Sequence, residues 1–244
     1  MIIVSFYRIR LEYLCGMANC TEIRSAQLKD FSSLSTMARA ELLRYAKPLS
    51  ISKGTVLFEE DENLSHLFCI KKGACKFSKV DESGQEHILR FLGDGEVMGK
   101  RSIITNTGAK VRATALVDTE LCCIDKNSVT KNLQENTKFS QDFSNALAED
   151  VNINEHTRII FCVHKGIKQR LAQLLLYILN KFGADSNGKL LLRLKREDMA
   201  AVLGTSQEYV INLLKTFKNF GLISIEKREI YILSRTGLKG LVTT

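Results

Sequence analysis

Residues 196–217 read REDMAAVLGTSQEYVINLLKTF, and two short helical patterns meet there around one glycine, Gly204. Few folds satisfy both patterns. The first helix must stop sharply and the second must leave at a steep angle, as in a helix-turn-helix. Gly204 suits the left-handed backbone of such a stop. Thr205 or Ser206 can cap the second helix, with Glu208 in its first turn. Met199, Ala200, Val202 and Leu203 form the apolar side of the first helix, and Val210, Leu213, Leu214 and Phe217 that of the second. The pattern leaves Gln207, Glu208, Ile211, Asn212 and Lys215 on the second helix's outer face, with Ser206 at its start.

The amino end of such a helix reaches base edges in a major groove. Gln and Asn pair with adenine, and Glu accepts from cytosine. Lys195, Arg196, Lys215 and Lys218 are expected to neutralise phosphates. The next segment, GLISIEKREIYIL, alternates apolar residues on both sides of a charged turn, which predicts a hairpin beside the helix. Charge supports a polyanionic partner. Residues 167–244 hold 13 Lys and Arg against 6 Asp and Glu, whereas the first 166 residues are nearly balanced at 22 against 21. A helical hairpin serving only as core explains none of these features.

Upstream, GTVLFEE, HLFCIKKGACKFSKV, QEHILRFLGDGEVMG and VRATALVDTELCCID are short apolar runs bounded by Gly, Asn, Asp or Ser. Turns at that spacing predict an antiparallel sandwich or barrel. A helix is expected over 37–51, ending before Pro48. Residues 137–164 contain no turn residues, and Phe139, Ala146, Ile153 and Ile160 recur every seven positions with Phe143 nearby. That stripe suits a dimer seam, or a helix packed on its own barrel. IKQRLAQLLLYILNKFG is a further apolar helix, and DSNGKLLLRL a turn and a short strand. The class expected is α+β. An extension covers 1–20, a jelly-roll barrel 21–136, a dimerisation helix 137–165 and a winged helix-turn-helix 166–244.

No apolar run approaches the roughly 20 residues of a membrane span. The segment MIIVSFYRIRLEYLCG carries Arg8, Arg10 and Glu12 and lacks the charge order of a secretory signal, so we expect no export. Met17 is an alternative start. Seven cysteines at irregular spacing, without a CxxC, suggest reduced thiols in a cytoplasm. Enzyme motifs are missing: no GxGxxG after a strand, no P-loop, no HExxH and no GxSxG elbow.

The order of barrel, long helix and winged helix-turn-helix resembles the Crp–Fnr family of bacterial transcription regulators. KREDMAAVLGTSQEYVINLLKTFKNFGLI is similar to that family's DNA-binding signature and QRLAQLLLYI to the helix before it. KGTVLFEEDENLSHLFCIKKGACKFSKV and GDGEVMG resemble its cyclic-nucleotide-type barrel. The likeness spans about 24–235. It implies a homodimer on two-fold-related double-stranded DNA, RNA polymerase as a partner, and an effector sensed in the barrel.

Two departures bear on mechanism. The family's recognition helix often has Arg-Glu and an Arg four positions after the Glu, where this chain has Gln207, Glu208 and Asn212. Members that bind cyclic AMP have Gly-Glu-Leu in the phosphate cassette, where this chain has Gly99-Lys100-Arg101. The cassette's Arg-Ser pair falls near Ala109-Lys110, with Arg112 close by. Met98, Gly99, Lys100, Arg101, Lys110 and Arg112 are therefore the candidate effector residues, for an anion other than cyclic AMP or as solvated loop charges. No cofactor is identified. Cys122 sits near the late-strand cysteine of oxygen-sensing relatives, but only Cys15 and Cys20 lie upstream, so an iron–sulfur cluster lacks ligands. His66, His87, His156 and His164 have no haem-like spacing. The runner-up is a redox- or gas-responsive regulator.

Overall fold

The computed structural model describes Cys20, Leu42, Leu43, residues 46–162 and residues 166–243, without the side chains of 156 and 158–162. The extension expected over 1–20 lies almost wholly outside these residues, as do residues 37–41, 44 and 45 of the helix expected over 37–51. Pro48 is not the residue after a helix but part of strand β1 (Lys47–Ile51), at the edge of its sheet, where a missing N–H is tolerated.

Eight strands form two four-stranded antiparallel sheets. β2 (Val56–Phe58), β3 (His66–Lys72), β4 (Cys75–Val80), β5 (Glu86–Leu92), β6 (Val97–Met98), β7 (Arg112–Ala115) and β8 (Thr119–Asp125) follow β1. One sheet runs β1-β8-β3-β6 and the other β2-β7-β4-β5. The body is thus a two-sheet jelly roll rather than a closed cylinder. Turn chemistry shapes it. Gly73 has φ +126°, and a Cβ there would lie 2.9 Å from the Thr119 backbone, so the β3–β4 turn admits no side chain.

Alternation sorts each strand between two cores. Phe68 and Ile70 of β3 and Leu121 and Cys123 of β8 face the other sheet, with Phe58, Leu92 and Met98. Leu67, Cys69, Cys122 and Ile124 face outward and are covered by helices. Those are α1 (Lys100–Thr105), α2 (Lys126–Glu135) and α3 (Thr137–Cys162). Asp125 caps α2, its carboxylate accepting from the Ser128 N–H at 3.1 Å.

Phe139 and Phe143 of α3 are buried against the chain's own sheet, their rings 5.8 Å apart. This corrects their expected place in a dimer seam: the apolar period of α3 begins as packing on the barrel. Ala146 and Ile153 are half-buried, Val151 is 55% exposed, and the Ile160 side chain lies outside the described residues.

The last third is built on α4 (Ile167–Phe182), which Gly183 ends at φ +84°. The strand expected after it is reduced to isolated bridges, Ala184 with Leu190 and Lys189 with Tyr231. Leu190, Leu192 and Leu194 still point inward alternately. Next come α5 (Arg196–Leu203), α6 (Gln207–Asn219), the hairpin β9 (Ile223–Glu226) and β10 (Glu229–Ile232), and α7 (Arg235–Thr243). The sequence reading missed α7; its anchor is the buried Leu238. One apolar cluster joins Ala74, Ile88, Phe91 and Leu116 of the barrel to Leu171, Leu174, Leu203, Leu214 and Phe217.

Candidate nucleic-acid interface

The turn between α5 and α6 closes on backbone bonds. Gly204 sits at φ +59°, ψ +49°, and its N–H donates to Ala200 O. A Cβ added at Gly204 would meet nothing within 4 Å, so backbone conformation and not crowding is what favours glycine there. Ser206 caps α6, its Oγ accepting from the Tyr209 N–H at 3.2 Å. Val210, Leu213, Leu214 and Phe217 are buried, which turns Ser206, Gln207, Glu208, Asn212, Lys215 and Lys218 to solvent. All six were expected there; Ile211, expected beside them, is half-buried. The helix therefore offers amide and carboxylate groups at its amino end and ammonium groups further along.

The hairpin beside it is a wing whose two-residue tip is Lys227, φ +46°, and Arg228, φ +74°. A turn with two positive φ values favours Asn-Gly. Side chains there cost of order 1 kcal/mol each, and this chain spends that strain on two cations. Arg196 lies behind the tip, one guanidinium N–H donating to Arg228 O at 3.4 Å. Burial, then the nearby charges of Arg193 and Arg228, lower its pKa from the usual arginine value. Glu229 faces this trio, 3.1 Å from Arg193. Arg193 was missed by the sequence reading; the alternating leucines on either side of it were the available signal.

The candidate effector residues do not converge. Lys100 is buried, not solvated, and its ammonium lies 2.8 Å from Asp150 on α3. Arg101 is exposed on α1. Lys110 and Arg112 pair instead with Asp61 at 2.7 Å and Glu59 at 2.6 Å. Met98 is packed in the inter-sheet core, and Gly99, at φ +92°, starts α1. A pocket built from all six is thereby corrected: Lys100, Lys110 and Arg112 each pair with a different carboxylate, Met98 is in the core and Arg101 is in solvent.

Lys100 belongs to a charge network that sequence reasoning missed. Arg90 on β5 donates to Asp150 and to Glu96, each at 2.7 Å. Glu96 also lies 2.7 Å from Lys181 on α4 and accepts from the Gly93 N–H. Burial works to raise the Glu96 pKa, but Lys181 and Arg90 outweigh it and hold it below the usual carboxylate range. An arginine inside an otherwise apolar strand, HILRFL, was the legible trace.

Among the described residues, no group of three or more His, Cys, Asp or Glu is placed to hold a metal ion, and no helix is long and apolar enough to cross a membrane. Cys69 and Cys122 are cross-strand neighbours, both buried. Cys20 is also buried beside them, its sulfur accepting from Cys122, which lowers the Cys20 pKa and raises that of Cys122. Burial pushes the Cys75 and Cys123 thiols up to about 12.

Two family models match in this order: a cyclic nucleotide-binding domain over residues 48–136 and a Crp-like helix-turn-helix domain over 169–241. The chain belongs to the Crp–Fnr family of transcription regulators. It is a DNA-binding regulator and not an enzyme. Relatives align over most of the chain. The transcriptional regulatory protein btr of Bordetella pertussis is 28% identical over 194 residues, 79% of each chain. A CRP-like cAMP-activated global transcriptional regulator of Mycobacterium tuberculosis is 23% identical over 204 residues, 83% of this chain and 91% of that one. FixK2 from Bradyrhizobium japonicum has the same fold, with a TM-score of 0.71 at 22% identity over 80% of this chain and 96% of its own.

Proposed function

We propose that the chain works as a homodimer that reads two-fold-related DNA half-sites with α6 and is controlled by a signal other than cyclic AMP. The observation that carries the DNA reading is the solvent-facing row Gln207, Glu208 and Asn212 on a helix anchored by four buried apolar residues. Gln207 and Asn212 replace arginines in the family pattern, so adenine is the favoured base opposite them rather than guanine. Lys195, Arg196, Lys215, Lys218 and the wing supply phosphate contacts. For the dimer, support comes from α3: its first turns are held on the barrel by Phe139 and Phe143, and Val151 is left facing outward. The family's relation to RNA polymerase is the further partner we assign.

Against cyclic AMP stands the cassette itself. A ribose hydroxyl needs an acceptor where this chain has Lys100, and that ammonium is buried on Asp150. The inter-sheet space is filled by Phe58, Phe68, Ile70, Met98 and Leu121. These residues do not fit the nucleotide.

The test is a base-by-base binding series on DNA recovered by in vitro selection with the full chain. Gln207→Ala and Asn212→Ala should each cost about 1–3 kcal/mol at one base position and relax preference there. Lys218→Ala should weaken binding to all sequences equally. Identical behaviour of the three would remove the base-reading assignment.

A thiol-responsive regulator is the second reading, favoured by the contact among Cys20, Cys69 and Cys122. It makes its own prediction. Thiolate is the reactive form, and burial in apolar surroundings suppresses it. Cys75 and Cys123 should therefore resist a disulfide reagent such as Ellman's until the chain unfolds. Modification of Cys20 in the native chain, located by peptide mass, would favour the thiol reading, since its contact with Cys122 favours the thiolate there; modification of Cys75 or Cys123 would contradict the burial account.

A further inference from the structure

Lys76 is on β4, in the barrel, and its side chain is buried. Its ammonium lies 2.6 Å from Glu86 on β5 and 2.7 Å from Asp198 on α5. Asp198 is 122 residues away in sequence. Its other oxygen accepts from the Lys195 N–H at 3.3 Å, at the start of the first helix of the helix-turn-helix. One carboxylate thus serves both the amino end of α5 and a cation of the barrel.

Both partners are 9% exposed, so neither relaxes into water when the other is lost. Burial disfavours the Lys76 ammonium, yet the bonds to Asp198 and Glu86 outweigh it and keep the side chain charged. Elsewhere the two domains meet through apolar contacts such as Ala74 and Phe91 with the α4 cluster, and through Lys181 of α4, which pairs with Glu96 far from the helix-turn-helix start. Apolar burial holds surfaces together without a fixed direction. A charged hydrogen bond adds direction. Beside the pair, a cleft of about 340 Å³ lies between the domains, lined by Gln85, Lys195, Glu197 and Thr205 with Ala200 and Ala201.

We infer that Lys76 is a positioning residue for DNA reading. Through Asp198 it sets the angle at which the helix-turn-helix stands on the barrel, and so the separation and orientation of the two α6 helices in a dimer. The inference rests on the DNA-reading homodimer proposed above. It assigns spacing selectivity to a barrel residue that touches no DNA.

The experiment measures affinity of the full chain for selected operator DNA, and for the same DNA with one base pair added or removed between half-sites. Each change rotates one half-site by roughly 35° about the DNA axis and shifts it by about 3.4 Å. Wild type should lose about tenfold or more on either change, a penalty similar to one mismatched base pair. Asp198→Asn is the variant least able to disturb folding, since Asn still accepts from the Lys195 N–H and Lys76 keeps Glu86. It should discriminate spacing by less than about threefold while a single-base change within a half-site costs it as much as wild type. Lys76→Met should do the same, and the double variant should add nothing further. Retention of wild-type spacing selectivity by Asp198→Asn overturns the proposal. So does equal loss of base and spacing preference, which would place the effect on α6 itself. A wild-type chain indifferent to spacing overturns the dimer reading, and this inference with it.

Discussion

Replacing Glu96 by alanine lowers the stability of the chain by about 3–5 kcal/mol, the cost of breaking a buried ionic cluster. Glu96 is the hub because its two oxygens face Arg90 and Lys181 from different elements. Without it, Arg90 and Lys100 share one carboxylate, Asp150, and Lys181 keeps the Phe91 carbonyl but loses its carboxylate partner Glu96, so the cluster carries an excess of positive charge. The midpoint of thermal unfolding should fall by roughly 6–20 °C for a chain of this size. Arg90→Met is the contrast. It leaves Lys181 with Glu96 and Lys100 with Asp150, two matched pairs, so it should cost less than Glu96→Ala. Circular-dichroism melts of both variants decide it, and equal losses would mean that charge balance is not what the cluster supplies. The same account sets an acid limit. A carboxylate whose folded pKa is lowered stabilises fully above the ordinary glutamate value of about 4.3, and that contribution is lost as the pH falls below that value and through the lowered folded one. Glu96 and Glu86 are both of this kind. The melts should therefore be flat near neutral pH and fall below it in acid.

Phe217→Ala should cost about 3–5 kcal/mol as well, by a different route. Its ring is fully buried in the cluster that joins α4, α5, α6 and β9. A cavity there loosens the platform that carries Gln207 and Asn212, so DNA affinity should fall together with the melting midpoint. Phe220, three residues on, is 63% exposed with Lys168 5.4 Å over its ring. Phe220→Ala should stay within about 0.5 kcal/mol of wild type, as surface changes generally do. If the two variants melt alike, α6 is not anchored as described.

The helix-turn-helix was legible because its determinants are local. Gly204, the Ser206 cap and the buried series Val210, Leu213, Leu214 and Phe217 lie within fourteen residues, and chain geometry over that distance needs no distant partner. Strand alternation was legible for the same reason: Cys122 and Cys123 sit on opposite faces of β8 as neighbours in a strand must. The seven-residue apolar period of α3 was legible too, but its partner was not. Periodicity states that a face is covered; Phe139 and Phe143 show that here the cover is the chain's own sheet.

The effector loop shows the opposite limit. Lys100, Arg101, Lys110 and Arg112 are within thirteen residues, yet their charges are neutralised by Asp150, Asp61 and Glu59 or left in solvent. Those partners are up to fifty-three residues away. By itself the sequence determined the two-sheet barrel, the long helix, the DNA-reading helix and the outward residues on it, all set by steric period, caps and turn conformations. Only the tertiary structure decided which charges are buried and with whom. Coulomb attraction in a low-dielectric interior acts through space, and Lys76 finds Asp198 across 122 residues of chain that no local pattern connects.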